Sequence, residues 1–379
     1  MIGNLILDKK RIVYIGVVLY MIRTIVVLMN LGVSSLVLEA LLWGIICCCI
    51  MGIIMSAENE AAHIIGIIVL IVMYINYKRT LSWTLLCTFL IVYAIKDIDI
   101  RDIVNLMFKI AAPFLVLDSI WYFINLALGT VSLVQSREVG GAVVYRHGFF
   151  FSQANTFSYM VLFTSFMFVY LYHDTINKKK MYLILILVAI FIYIFPNSRT
   201  TSLILVLYIL FDIKKPEFIQ NGIYIFCKYS YLISCILVTI VVALFIINPL
   251  NPIPKAVDTF LNGRISMVVA SLILYGVKPL GSRIINEGIY LPIVGHLLLY
   301  LDNFYGMILI RFGAICAIII SYVSLKTSFT LYKTKKYTEL VLFAMVFIFG
   351  LSEGTAMSVF PVFQWLFIRD ALFLKKISK

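Results

Sequence analysis

Long apolar runs broken by short polar intervals make up most of this chain. The runs lie near 12–31, 35–55, 62–76, 80–95, 103–128, 154–172, 181–195, 200–212, 229–247, 302–323, 338–351 and 356–369. Most approach the ~20 apolar residues a helix needs to cross a hydrocarbon core. The pattern predicts an all-α, polytopic integral membrane protein of about 12 transmembrane helices, with one domain over 1–379. No polar region is long enough to fold alone. Two intervals exceed simple turns, 129–153 and 248–301. The second opens with Pro249, Pro252 and Pro254 and breaks at Gly276, Pro279 and Gly281. Between them the pattern predicts a short helix over 264–275 that dips into a bilayer without spanning it, with Asn262 as its N-cap.

Composition agrees with the pattern. The chain is 63% hydrophobic and 13% charged, with a mean hydropathy of +1.05; a soluble domain carries about 25% charged residues. The net charge of +13 is therefore no nucleic-acid signal. It sits in short loops, where lysine and arginine set orientation. Lys9, Lys10 and Arg11, Lys96 and Arg101, Lys178–Lys180, Lys214, Lys215 and Lys228, Lys326 to Lys336, and Lys375 to Lys379 fall in alternate loops. Both termini are then cytoplasmic, 129–153 and 248–301 face outward, and residues near Lys9 begin an uncleaved first span. Lys78-Arg79 is the exception, a basic pair placed outside: either spans three and four are miscounted, or the pair meets anionic headgroups on the outer face. The seven cysteines lie in or beside apolar runs, and Cys47–Cys49 point about 100° apart on a helix. They imply neither a disulfide framework nor a zinc site, and no cofactor is expected.

Charges inside spans carry candidate chemistry. Arg23 and Glu39 are placed to pair across the first hairpin. Lys109 and Asp118 are half a turn out of phase on one helix. Arg311 should face the bundle interior or a water-filled cavity. No Gly/Pro-broken pair of spans marks a transporter-type centre. The outward loops hold Arg137, Arg146, Arg199, Arg264 and Arg283 against Lys255 and Lys278. Topology gives no reason for those arginines. Arg264 at the positive end of its helix either binds an anion together with free backbone N–H groups or snorkels to lipid headgroups. In the first loop Arg137, Arg146 and His147 stand beside Phe149, Phe150 and Phe151. That group either binds phosphate or is an aromatic belt with arginines on lipid.

Arg146-x-Gly148-x-Phe150-x(4)-Asn155 ahead of a span resembles the same region of Wzy-type polysaccharide polymerases and the related O-antigen ligases. Asn197-Ser198-Arg199-Thr200 is similar to the Ser-Arg-Thr/Ser turn of that superfamily. Gly263-Arg264, Pro279-x-Gly281, Asp302-Asn303-x-Tyr305 and Gly313 are similar to its later signature. Arg137 and Gly148 keep the spacing of the family's first outer loop, whereas Arg264 and Gly276 miss the second copy by one residue. The resemblance covers about 96–325.

It implies a metal-independent, inverting glycosyltransferase in the bacterial cytoplasmic membrane that polymerises oligosaccharide units carried on undecaprenyl diphosphate. Membrane lipids, the pathway's flippase and its chain-length regulator are the implied partners. Arg146 and Arg264 are expected on one diphosphate, with Arg137, Arg199 and Arg283 guiding the acceptor unit. The base is His296 or His147, with Glu287 and Asp302 as alternatives; Asp302 is otherwise the N-cap of the tenth span. Asn155 and Arg311 complete the expected substrate-binding set with His147. The rivals are a ligase of the same superfamily, a secondary transporter or lipid-linked sugar flippase, and a membrane acyltransferase using His63 or His173.

Overall fold

The computed structural model describes residues 2–56, 60–131, 134–139, 142–285, 288–291, 295–298 and 301–373. Side chains are described for these except in 2–7, 60–63, 65, 134–139, 142–144, 288–291 and 295–298. The described residues are mainly helical, with two antiparallel two-stranded hairpins. Six described helices are long and apolar enough to cross a membrane, or seven if one bent pair counts as a span. The chain divides into two compact units, Met1–Ala57 with Leu90–Ile213 and Val359–Leu366, and Glu58–Phe89 with Lys214–Ser358 and Phe367–Lys379.

In the first unit α1 (Ile2–Met29) and α2 (Ser35–Ile54) form a hairpin. A methyl group on Gly16 would lie 2.9 Å from Cys48 Cβ, and one on Gly52 would lie 2.6 Å from Val13 Cγ2. Small residues thus set the close approach of the helices. Lys9 and Lys10 are not free topological charges. Lys9 Nζ bonds Asp97 at 2.7 Å and Ser56 at 2.8 Å, and Lys10 bonds Asp102 at 2.6 Å. They tie α1 to the start of α5 (Ile100–Ala127). The expected Arg23–Glu39 pair does not form. Arg23 Nε donates to Leu38 O at 3.3 Å, and Glu39 is exposed. After α5 comes the hairpin β1 (Val134–Val139) and β2 (Ala142–His147), then α6 (Ala154–Tyr172), α7 (Lys178–Ile194) and α8 (Arg199–Asp212).

The second unit contains α3 (Glu60–Thr80), α9 (Glu217–Ile247), α10 (Pro252–Phe260) and α11 (Arg264–Tyr275). Helix α11 is the short helix expected from the sequence, and it meets α10 at a bend of 107°. The hairpin β3 (Gly288–Leu291) and β4 (Gly295–Leu298) follows. The expected single span over 302–323 is instead folded back on itself. A short helical turn α12 (Phe304–Gly306) runs into a π-helix (Met307–Phe312), then Gly313, then α13 (Ala314–Lys333). Tyr231 on α9 shows the reversal. Its hydroxyl bonds Ser321 Oγ at 2.7 Å while its ring lies 6.0 Å from that of Tyr305. A continuous helix would separate residues 305 and 321 by about 24 Å.

Two glycines make this reversal possible. Gly313 has φ +90° and ψ 169°, a region open essentially to glycine alone. A methyl group there would fall 2.2 Å from Gly281 N, and one on Gly281 (φ +78°) would fall 2.0 Å from Arg311 O. The expected last span, 356–369, is not a helix either. After α14 (Tyr337–Phe349) the chain passes through irregular backbone and short 3₁₀ turns to α15 (Ile368–Phe373). Pro361 removes a backbone donor from this run. Residues 359–368 are buried, and irregular backbone is tolerated at membrane depth only when protein surrounds it.

Candidate functional site

In the first unit β2 brings the Arg146 motif against the turn before α8. Arg146 Nε donates to Pro196 O at 2.8 Å, and its Nη2 donates to Asn155 Oδ1 at the start of α6. His147 N donates to Phe195 O at 3.0 Å, and His147 Nδ1 lies 2.7 Å from Tyr122 Oη on α5. Burial lowers the His147 imidazole below its ordinary range, so it is neutral at pH 7. The phenylalanines do not form a lipid-facing belt. Phe149 and Phe151 are buried, and Phe149 stacks on Phe157 at 3.9 Å. Asp118, one turn before Tyr122, is buried and leaves Oδ2 unpartnered among the described residues. The structure thus joins Arg146, His147, Asn155 and the 195–198 turn, with the Arg146 guanidinium already holding two of these segments together. Arg199 is exposed at the head of α8. Arg137 lies opposite Val144 in the hairpin, and its side chain falls outside the described residues.

In the second unit the expected anion at Arg264 is a carboxylate of the chain itself. Asp258 Oδ1 accepts the N–H groups of Ile265 at 2.8 Å and Ser266 at 2.9 Å, so the N-terminus of α11 is occupied. Gly263, with φ +80°, precedes the helix, and Asn262 does not cap it. Arg264 is 7% exposed and donates from Nη2 to Glu353 Oε1 at 2.7 Å and from Nη1 to Leu261 O at 3.1 Å. Neither snorkelling nor a free anion hole describes it. Sequence reasoning missed Glu353. Its signal was Ser352-Glu353-Gly354-Thr355, an acid in a four-residue break between two apolar runs.

Asp302 completes this cluster, and the cap that competed for it is settled. Asn303 is the N-cap of α12: its Oδ1 accepts Gly306 N at 2.9 Å and its Nδ2 donates to Leu351 O at 2.8 Å. Asp302 is left exposed, with no hydrogen bond or ion pair among the described residues. The Glu353 segment rests on it; a methyl group on Gly354 would lie 3.4 Å from Asp302 Cα. The Asp302 carboxyl opens to the surface but is ringed by protein. Desolvation raises it above the ordinary carboxylate range, and Arg264 opposes the rise.

No protein-family model, curated protein or solved structure matches this chain.

An apolar groove of about 360 Å³ adjoins the charged cluster. Val268 and Leu272 of α11, Tyr305 and Gly306, Val242 of α9 and Ile308 of the π-helix line it. Val268 is one turn from Arg264, and a methyl group on Gly306 would lie 2.6 Å from Val268 Cγ2. The cluster and the groove therefore share α11 and the 302–306 segment. Arg283 is exposed nearby in sequence, with no partner among the described residues. The side chains of Glu287 and His296 lie outside the described residues. The His173 ring bonds Asp212 at 3.0 Å and Asp174 at 2.8 Å, and Tyr182 bonds the same Asp212 at 2.8 Å. The His63 side chain is outside the described residues.

Proposed function

We propose that this chain is a membrane glycosyltransferase that polymerises undecaprenyl diphosphate-linked oligosaccharide units for a bacterial surface polysaccharide. The reaction takes place at the outer leaflet of the cytoplasmic membrane. The shared wall of charged cluster and apolar groove carries the reading. A lipid-linked sugar needs a polar head site and an apolar tail site on the same elements, and α11 with 302–306 offers both. The polyprenyl chain takes the groove. In this reading the shorter apolar helices also lie in the membrane, with Lys178–Lys180 and Lys333–Lys336 cytoplasmic.

Asp302 is the base, in preference to the histidines, because it is exposed, has no partner among the described residues, and is raised above the ordinary carboxylate range. The acceptor hydroxyl oxygen attacks the anomeric carbon of the growing chain as its proton passes to Asp302. The bond from that carbon to the diphosphate oxygen breaks, the electron pair leaves with undecaprenyl diphosphate, and the anomeric centre inverts. Arg283 is an exposed arginine of this unit available to the departing diphosphate. Arg264, fixed by Glu353, tunes Asp302.

The fold-back at Gly313 and the bent α10–α11 pair favour one other reading, a lipid-linked sugar flippase, since broken segments line transport sites. Purified protein in vesicles with a defined lipid-linked repeat separates the two. The polymerase gives a ladder at multiples of the repeat mass without an added metal. Movement of the substrate across the bilayer with no lengthening would establish the flippase instead. Extension that requires a different acceptor would establish the ligase.

A further inference from the structure

Three basic residues lie on the segments of a backbone junction that the proposed reaction leaves unused. Asn76, fully buried near the end of α3, donates from Nδ2 to Leu280 O at 3.1 Å and Phe312 O at 2.6 Å. Ser282 N donates to Arg311 O at 3.1 Å, and Ala314 N donates to Lys278 O at 3.1 Å. The last turn of α3, the 278–282 segment and the fold-back at 311–315 are thus pinned together. Each brings a basic residue: Arg79, Lys278 and Arg311. Arg79 follows Asn76 by three residues, which places it about 60° around the helix from it.

Among the described residues no acid pairs with these charges. Among the described residues Arg79, Lys278 and Arg311 form no hydrogen bond or ion pair through their side chains. Arg311 Nε is buried and unpartnered, and so are Ser282 Oγ and Asn76 Oδ1. Buried donors left unpaired are costly. Lys78, beside Arg79, lies 5.6 Å from the ring centroid of Tyr74 and 5.8 Å from that of Tyr77, and Tyr77 stacks on Trp83 at 3.5 Å. Tyrosine, tryptophan and basic side chains together mark the headgroup level of a bilayer. That placement also gives a reason for Lys78-Arg79, which topology did not.

We propose that this junction binds the phosphoryl group of a lipid through Arg79, Lys278 and Arg311. A phosphoryl group at headgroup depth neutralises three cations and accepts their hydrogen bonds. The inference rests on the membrane placement of the chain and not on glycosyl transfer. The phosphate comes from an anionic phospholipid or from a polyprenyl diphosphate, and the test has an arm for each.

The test is retention of defined lipids by the full-length protein in detergent, read by native mass spectrometry. Wild type should retain phosphatidylglycerol in preference to phosphatidylcholine. Arg79→Gln with Arg311→Gln should weaken that retention about 25-fold, at roughly fivefold for each basic residue removed. Lys333→Gln with Lys335→Gln, away from the junction, should change nothing. Displacement of phosphatidylglycerol by polyprenyl diphosphate, one for one, would support the site and assign it to the substrate. Failure to displace it would support the site and assign it to a bilayer lipid. If the double variant does not fold, the exposed Lys278→Gln carries the test with an expected fivefold loss. Undiminished retention in the junction variants, or equal retention of the two phospholipids by wild type, would overturn the proposal.

Discussion

Replacing Glu353 by alanine is expected to destabilise the protein by about 3–5 kcal/mol, because it strands the buried Arg264 guanidinium without a counter-ion. Both partners are nearly shut off from solvent, with side-chain exposures of 8% and 11%, so water cannot take over the bond. Arg264→Ala should also destabilise the protein, because it removes the guanidinium from the buried Glu353 carboxylate. Arg264→Lys should recover only part, since one ammonium cannot serve both Glu353 and Leu261 O as the guanidinium fork does. The double substitution Arg264→Leu with Glu353→Leu separates stability from function. It removes both charges and should restore much of the thermal stability while polymer formation stays low. Recovery of both together would show that the pair is scaffold and nothing more. Thermal unfolding of purified variants, beside their extension rates, makes the comparison.

Gly313→Ala should abolish accumulation of folded protein. The substitution forces a side chain into a backbone conformation reserved for glycine, at a cost of about 1–3 kcal/mol. It also drives the new methyl group to 2.2 Å from a backbone nitrogen, which cannot swing away as a side chain can. Gly281→Ala meets the same obstacle from the other side, at 2.0 Å from Arg311 O. Gly222→Ala on α9 is the control. Nothing lies within 4 Å of its added methyl group, and alanine suits a helix interior better than glycine. It should be neutral or slightly stabilising. Membrane yield and detergent-solubilised melting temperature are the readouts, and normal yield of Gly313→Ala would contradict the fold-back.

These glycines show where sequence reading stops. Periodicity and apolar length give helices, and α11 stands where the pattern put it, at Arg264–Tyr275. The same signal cannot separate one long span from two segments folded back, because both are equally apolar. Only the pairing of Tyr231 with Tyr305 and Ser321 distinguishes them. The run over 356–369 misled for a related reason: burial in protein and exposure to lipid select the same residues. At the site Arg264 and Asp302 were legible as charges out of place. Their partners were not, since Asp258, Asn303 and Glu353 are recruited by tertiary contacts. Asn303 takes the cap and leaves the Asp302 carboxyl out of it, and residue type alone could not decide between two adjacent cap formers.

The central claim is that Asp302 is the base of a metal-independent glycosyl transfer. Its most direct test is turnover of a defined lipid-linked repeat by wild type and Asp302→Asn in the presence of a chelator. Wild type should release one polyprenyl diphosphate for each glycosidic bond formed. Its rate should rise with pH as the raised Asp302 carboxyl loses its proton. The leucine pair at 264 and 353 should move that rise to higher pH, because Arg264 no longer pulls the carboxyl down. Asp302→Asn should lower kcat by about 10²- to 10⁴-fold with substrate binding unchanged. An Asp302→Asn enzyme within a few-fold of wild type, or wild-type turnover that stops when the chelator removes divalent ions, would contradict the claim.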